Sequence, residues 1–391
     1  MEKPVRIETK FVFTPTACLD DACVMVDEQG LIEYVGNKID APQKDYETIS
    51  APDLWLSPGF IDIHNHGGIG IAFGVGDKLA EDLQKYAEWV LKTGVTGFVC
   101  SIAGATSEEL NQIIQTYVPI LEKGTTGARA LGLHLEGPFL NVEKKGAFNP
   151  KWLRPPAVKE SLEYIRNGGQ WIRQISLAPE LPHALEVARE FRKAHITVAL
   201  AHSNSDYDTA RSALMGDFTH VTHVFNALSE FNHRKPGALG AVLTSDVITG
   251  ELIADGIHVH PGGMRLLLRT LGSERISLIT DAIPGAGLPD GEYNLIGQII
   301  TVKDGRATLD NGTLAGSAAV LNQCVRNAHQ LAGASVQQAI RMATYNPAHV
   351  IGMQRQVGLI ASGRPADLII MDSNFDVKLA MVAGEIQFNY I

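Results

Sequence analysis

The stretch GFIDIHNHGG, from Gly59 to Gly68, sets an apolar run against two histidines two residues apart and closes on a pair of glycines. Side chains alternate across a strand, so if Phe60 to His64 is extended, His64 and His66 project from one face and Asp62 shares it. Two imidazoles on one face can hold one metal ion. A pair of satisfied histidines at a strand end has the same sequence, so the motif needs partners elsewhere in the chain.

The run is the first of eight: PGFIDIH (58–64), VTGFVCSI (95–102), ALGLHLEG (130–137), ISLAPE (175–180), ITVALAHS (196–203), HVTHVFNA (220–227), ELIADGIH (251–258) and ISLITDA (276–282). Between them lie stretches such as KLAEDLQKYAEWVLKTG and LPHALEVAREFRKAH, whose apolar residues recur at helical spacing. Eight strand–helix repeats predict an α/β fold, a TIM-like (β/α)8 barrel with a parallel sheet. The barrel is expected over 57–355. A β-hairpin insertion is expected near 297–312, where GQIITVKDGRATLDNG carries turn chemistry at Asp304-Gly305 and Asn311-Gly312. The flanks, 1–56 and 356–391, contain short alternating runs and are expected to form a small β-sandwich domain from both chain ends.

Composition narrows the function. The 391 residues are 45% hydrophobic and 19% charged, which is ordinary globular usage, and the net charge of −10 argues against nucleic-acid binding or attraction to an anionic membrane. No segment approaches the length of a membrane span, and the opening MEKPVRIETKFVF lacks the apolar stretch of a secretion signal. Cys18, Cys23, Cys100 and Cys324 form no CxxC pair, so reduced thiols and a cytoplasmic location are expected.

Barrel active sites form where the C-terminal ends of the strands meet, and those ends carry polar groups. The first run ends with His64 and His66, the third with Glu136, the fifth with His202, the sixth with His223 and the eighth with Asp281. Imidazoles and carboxylates without cysteine suit zinc, iron, manganese or cobalt at an open site, one or two divalent ions per subunit. Such an ion lowers the pKa of bound water to about 7 and polarises a carbonyl, the chemistry of hydrolysis. Asp281 suits the general base, and Glu136 is the natural bridging ligand if two ions bind.

The motifs PGFIDIHNHGG, GLHLEGPFLN, KKGAFNP, AHSNSDY, THVFNALSEFNHRKPG, IADGIHVHP, LITDAIPGAGLPDG and GTLAGSAA run in order over nearly the whole chain. Together they resemble the amidohydrolase superfamily of metal-dependent hydrolases, and within it the deacetylases of N-acetylglucosamine 6-phosphate and N-acetylgalactosamine 6-phosphate. The resemblance implies removal of the acetyl group from an amino-sugar phosphate, in amino-sugar catabolism. It implies that Glu136, His202 and His223 bind the main catalytic metal, that His64 and His66 complete a two-metal site, and that Asp281 is acid and base. It further implies that Asn226 and the backbone of Ala227 touch the substrate phosphate, that His258 contacts the substrate, and that Arg234 reaches the phosphate from the neighbouring subunit of a homodimer.

One position departs from the family pattern. After KKGA many members carry a histidine that contacts substrate, and this chain has Phe148, whose ring stacks on a sugar face but donates no hydrogen bond. Two other readings compete. A cyclic amidase or deaminase is disfavoured because the fourth run ends LAPE, without the lysine that many cyclic amidases carboxylate there. A catalytically inactive amidohydrolase-like binding protein is disfavoured because all six candidate ligands are retained.

Overall fold

In the computed structural model, which describes residues 3–14, 16–74 and 78–391, each of the eight runs contributes one parallel strand. They are Phe60–Asn65, Val95–Ala103, Arg129–Glu136, Ile172–Leu177, Thr197–Leu200, His220–Val221, Thr249–Ile253 and Ile276–Ile279, hydrogen-bonded side by side in chain order. The eighth meets the first through Asp281 N–H to the His64 carbonyl (2.8 Å) and Thr280 Oγ1–H to Asp62 Oδ2 (2.6 Å). The result is a nearly closed barrel of the TIM type.

A helix follows every strand, and each has a local cause. Ser107–Lys123 begins with a capping box in which Thr106 and Glu109 exchange side-chain and backbone hydrogen bonds. Ala184–Lys193 buries Ala184, Val187, Ala188 and Phe191, one stripe at helical spacing against the barrel. Leu79–Val90 runs into a 3-10 turn that ends at Gly94 with φ 81°, a left-handed value suited to glycine. A Cβ there would also lie 2.8 Å from the Phe60 ring, so Gly94 lets the second strand start close against the first.

Several observed strands are shorter than the runs that announce them. HVTHVFNA holds a ladder only at His220–Val221, and ELIADGIH leaves the sheet after Ile253. In both, the remaining residues turn over the end of the barrel, where they can face a cavity. The barrel interior beneath that end is polar: Asp62, His134, Gln174, Ser176, His220 and Glu251 are all buried, in place of the apolar layers usual in this fold.

Both chain ends meet in one eight-stranded sheet. Val5–Phe13 pairs in parallel with Glu47–Pro58, which pairs antiparallel with Leu368–Met371. Alternation along Leu368–Met371 splits its side chains: Leu368 and Ile370 join a core with Val5, Ile7 and Val24, whereas Ile369 and Met371 join the barrel's core. After the eighth strand comes a three-stranded antiparallel sheet, Gly291–Leu295, Gln298–Lys303 and Arg306–Thr308. Its second turn holds Asp304 at φ 51° and Gly305 at φ 74°, the pair of positive values that a tight hairpin needs. The first of these strands, GEYNL, carries too few apolar residues to stand out in the sequence. Among the described residues, no helix is long and apolar enough to cross a membrane.

Candidate metal centre

The six strand-end residues converge at one end of the barrel, all nearly or fully buried. His64 belongs to the first strand, His66 follows it, and Glu136 is the last residue of the third. His202, His223 and Asp281 each lie two residues beyond their strands, with φ of 43°, 27° and 51°. Positive φ is uncommon outside glycine and costs about 1 to 3 kcal/mol per residue when the surroundings impose it. Here the surroundings do impose it. Asp281 is held on both sides, by its N–H to His64 and by Ser317 N–H to its own carbonyl (2.8 Å). Gly316 makes that approach possible, since a Cβ on it would lie 2.8 Å from the Asp281 carbonyl oxygen.

The Glu136 carboxylate is the centre of the cluster. Its Oε1 lies 3.3 Å from His202 Nε2, 3.2 Å from His223 Nε2 and 3.5 Å from His64 Nε2, while its Oε2 lies 3.0 Å from His66 Nε2. Asp281 Oδ1 faces the first pair, 3.2 Å from His66 Nε2 and 3.5 Å from His64 Nε2. Two groups of donors result, His64 with His66 and Asp281, and Glu136 with His202 and His223, with the donor atoms of each within 4.8 Å of one another.

The donor set fits a divalent ion. His202 Nδ1 lies 2.7 Å from the Lys144 carbonyl, His66 Nδ1 3.2 Å from the Ser101 carbonyl, and His64 Nδ1 2.8 Å from Glu251 Oε2. Each of those acceptors calls for a proton on Nδ1, which leaves the Nε2 lone pair aimed into the cluster, the arrangement that histidine ligands adopt. His64 Nε2 is buried without a hydrogen bond. The electrostatics point the same way. Burial opposes charge on His66, yet Asp281 and Glu136 raise its imidazole to about 9. Burial likewise opposes ionisation of Glu136, but the surrounding His64, His202 and His223 imidazoles hold it well below the usual carboxylate range. Two carboxylates among four imidazoles draw positive charge to this point.

Five of the six, all but the fully buried His64, line a cavity of about 390 Å³. Asn226, Ala227, His258 and Phe148 line it, together with Leu295 and Gln298 from the three-stranded sheet. His258 is oriented by Asp255, whose Oδ2 lies 2.7 Å from its Nδ1. The Phe148 and His202 rings are nearly perpendicular, with centroids 5.1 Å apart. Arg234 behaves differently: it lies on an exposed turn beside His233, and it is not among the residues lining the cavity of its own chain.

Two further acidic residues are buried beside the cluster, Asp62, which the sequence placed on the face of His64, and Glu251, which it gave no reason to single out. Asp62 shares a strand with His64 but bonds Thr280 rather than joining the donor cluster, and burial pushes its carboxyl up to about 7. Glu251 is fully buried and accepts hydrogen bonds from His64, His220, Gln174 and the His223 backbone. A charge inside the strand sequence TGELI was the only available signal.

Comparison with known proteins places these features in a family. The amidohydrolase family model matches residues 55–387. The N-acetylglucosamine-6-phosphate deacetylase of Vibrio furnissii is 34% identical over 369 residues, 94% of this chain and 91% of that protein. The N-acetylgalactosamine-6-phosphate deacetylase of Escherichia coli O157:H7 is 33% identical over 331 residues, 85% of this chain and 87% of its own. A solved structure, a mutant N-acetyl-D-glucosamine-6-phosphate deacetylase from Mycobacterium smegmatis in complex with N-acetyl-D-glucosamine-6-phosphate, superposes with a TM-score of 0.92 at 30% identity, covering 99% of this chain and 100% of that one.

Proposed function

This chain belongs to the amidohydrolase family, and on that premise we propose that it hydrolyses the acetamide of N-acetylglucosamine 6-phosphate to glucosamine 6-phosphate and acetate. The observation that carries the reading is the convergence of Glu136, His202, His223, His64, His66 and Asp281 in one buried cluster, all but His64 lining one cavity.

Glu136, His202 and His223 hold the main divalent ion, and His64 with His66 holds a second, Glu136 lying between the two groups. Zinc, iron, manganese and cobalt all suit these ligands. Such an ion, when bound, polarises the acetamide carbonyl and acidifies the attacking water. Asp281 takes the proton of that water at its carboxylate and returns it to the amide nitrogen as the C–N bond breaks. The second proton of the water passes from the nascent acetic acid to the amine, so acetate and the ammonium form of the amino sugar leave, and Asp281 is restored as a carboxylate.

Asn226 and the Ala227 backbone receive the phosphate, and His258, steadied by Asp255, meets the sugar. Arg234 supplies its planar fork to the phosphate bound in a neighbouring subunit of a homodimer, since its exposed turn does not line the cavity of its own chain. The catalytic unit is residues 57–355, with the small β domain drawn from 1–56 and 356–391. Four free thiols support a cytoplasmic location in amino-sugar catabolism.

A second reading is the galacto epimer, favoured by the near-equal likeness to the Escherichia coli enzyme. Acetate release from acetylated glucosamine and galactosamine, each with and without the 6-phosphate, tests both. Turnover of the gluco 6-phosphate that stops on chelation and returns with a divalent ion is the expected result. No release from any member of the panel by metal-loaded protein would overturn the proposal.

A further inference from the structure

The geometry points to Glu251 as a positioning residue that couples the two candidate metal groups, holding His64 of one and His223 of the other with a single carboxylate oxygen. Glu251 Oε2 lies 2.8 Å from His64 Nδ1 and accepts the His223 backbone N–H at 3.1 Å. The Glu251 carbonyl adds a third hold, accepting Val224 N–H at 2.9 Å. His223 sits at φ 27°, a conformation it does not favour, and Glu251 grips the chain there through side chain and backbone together.

The carboxylate is itself immobilised from below. Its Oε1 accepts Gln174 Nε2–H at 2.8 Å and faces His220 Nε2 at 3.2 Å, and no part of the residue is exposed. Glu251 therefore sets the ring orientation and Nδ1–H tautomer of His64, and the direction in which His223 leaves its strand. Both ligands depend on one rigid point.

This inference rests on reading the cluster as a metal centre, and reach must matter more than charge. Glu251→Gln keeps the reach: its amide oxygen still accepts from His64 and His223, and its new N–H₂, in the place of Oε1, donates to Gln174 once that amide turns over to present Oε1, an atom otherwise buried without a partner. Glu251→Asp keeps the charge but withdraws the oxygens by about one bond length, roughly 1.5 Å, beyond hydrogen-bond range of both histidines. Metal-free wild type and both variants are titrated with Zn²⁺ against a chromophoric chelator, with far-UV circular dichroism as the control for folding. The expected result is a loss of about 10- to 100-fold in Zn²⁺ affinity for Glu251→Asp, as for other residues that orient metal ligands, and a much smaller loss for Glu251→Gln. Wild-type affinity in the Asp variant, or a loss in the Gln variant equal to or greater than that in the Asp variant, would overturn the inference alone. Failure of the wild type to bind Zn²⁺ would overturn the metal reading of the site and this inference with it.

Discussion

His202 Nε2 and His223 Nε2 lie 3.1 Å apart, and His202 already directs Nδ1 to the Lys144 carbonyl. Two imidazole lone pairs do not rest at that separation without a proton or a cation to share. A ligand that binds the folded chain alone adds stability by mass action, about 2.7 kcal/mol at one hundred times its Kd. Thermal melts of chelated protein should therefore shift upward on adding Zn²⁺, and back on adding excess chelator. An unmoved melting temperature would argue that the four imidazoles bind no ion.

His64 and His66 lie to one side of Glu136, and His202 and His223 to the other, so the two donor groups should be separable in metal content. In the double variant His64→Asn, His66→Asn, the metal content of purified protein should fall while Glu136, His202 and His223 still retain one ion. Unchanged stoichiometry by elemental analysis would rule out a second ion at the first strand.

Asp281→Asn keeps the side chain's size and its place beside His66 but removes the proton acceptor. A loss of about 10² to 10⁴ in kcat is expected, with metal still held by the other group. Pre-steady-state or steady-state rates within tenfold of wild type would take Asp281 out of the base role.

Arg234 is exposed, so Arg234→Ala should leave the melting temperature nearly unchanged, within about 0.5 kcal/mol of stability. Its effect should instead be a raised KM confined to phosphorylated sugars. Equal effects on substrates with and without the 6-phosphate would exclude phosphate recognition by this residue.

Phe148 meets the His202 ring with the two planes at 85° and lines the cavity. Phe148→His restores a hydrogen-bond donor worth roughly 0.5 to 1.5 kcal/mol, up to about tenfold in rate. The ratio of kcat/KM between gluco and galacto 6-phosphates, or between acetyl and longer acyl groups, should change several-fold with metal retained. If every ratio is untouched, Phe148 serves packing against Leu140 and Ala201.

Periodicity and turn chemistry are local properties, and what depends on them was legible in the chain. Eight apolar runs separated by amphipathic stretches became eight parallel strands and their helices, and Asp304-Gly305 became a tight hairpin turn. The positions of the six strand-end residues were readable for the same reason, because a barrel gathers the C-terminal ends of its strands. Tertiary structure alone decided which buried groups face one another. Asp62 and His64 have the same sequence parity, yet one bonds Thr280 and the other enters the donor cluster, because the barrel stacks them at different depths. Glu251 lies 187 residues from His64 in the chain, and no spacing rule links them. The left-handed backbones of His202, His223 and Asp281 are likewise held by groups distant in the chain, Asn141, Glu251, His64 and Ser317, so the directions of those side chains were absent from the sequence until the barrel closed around them.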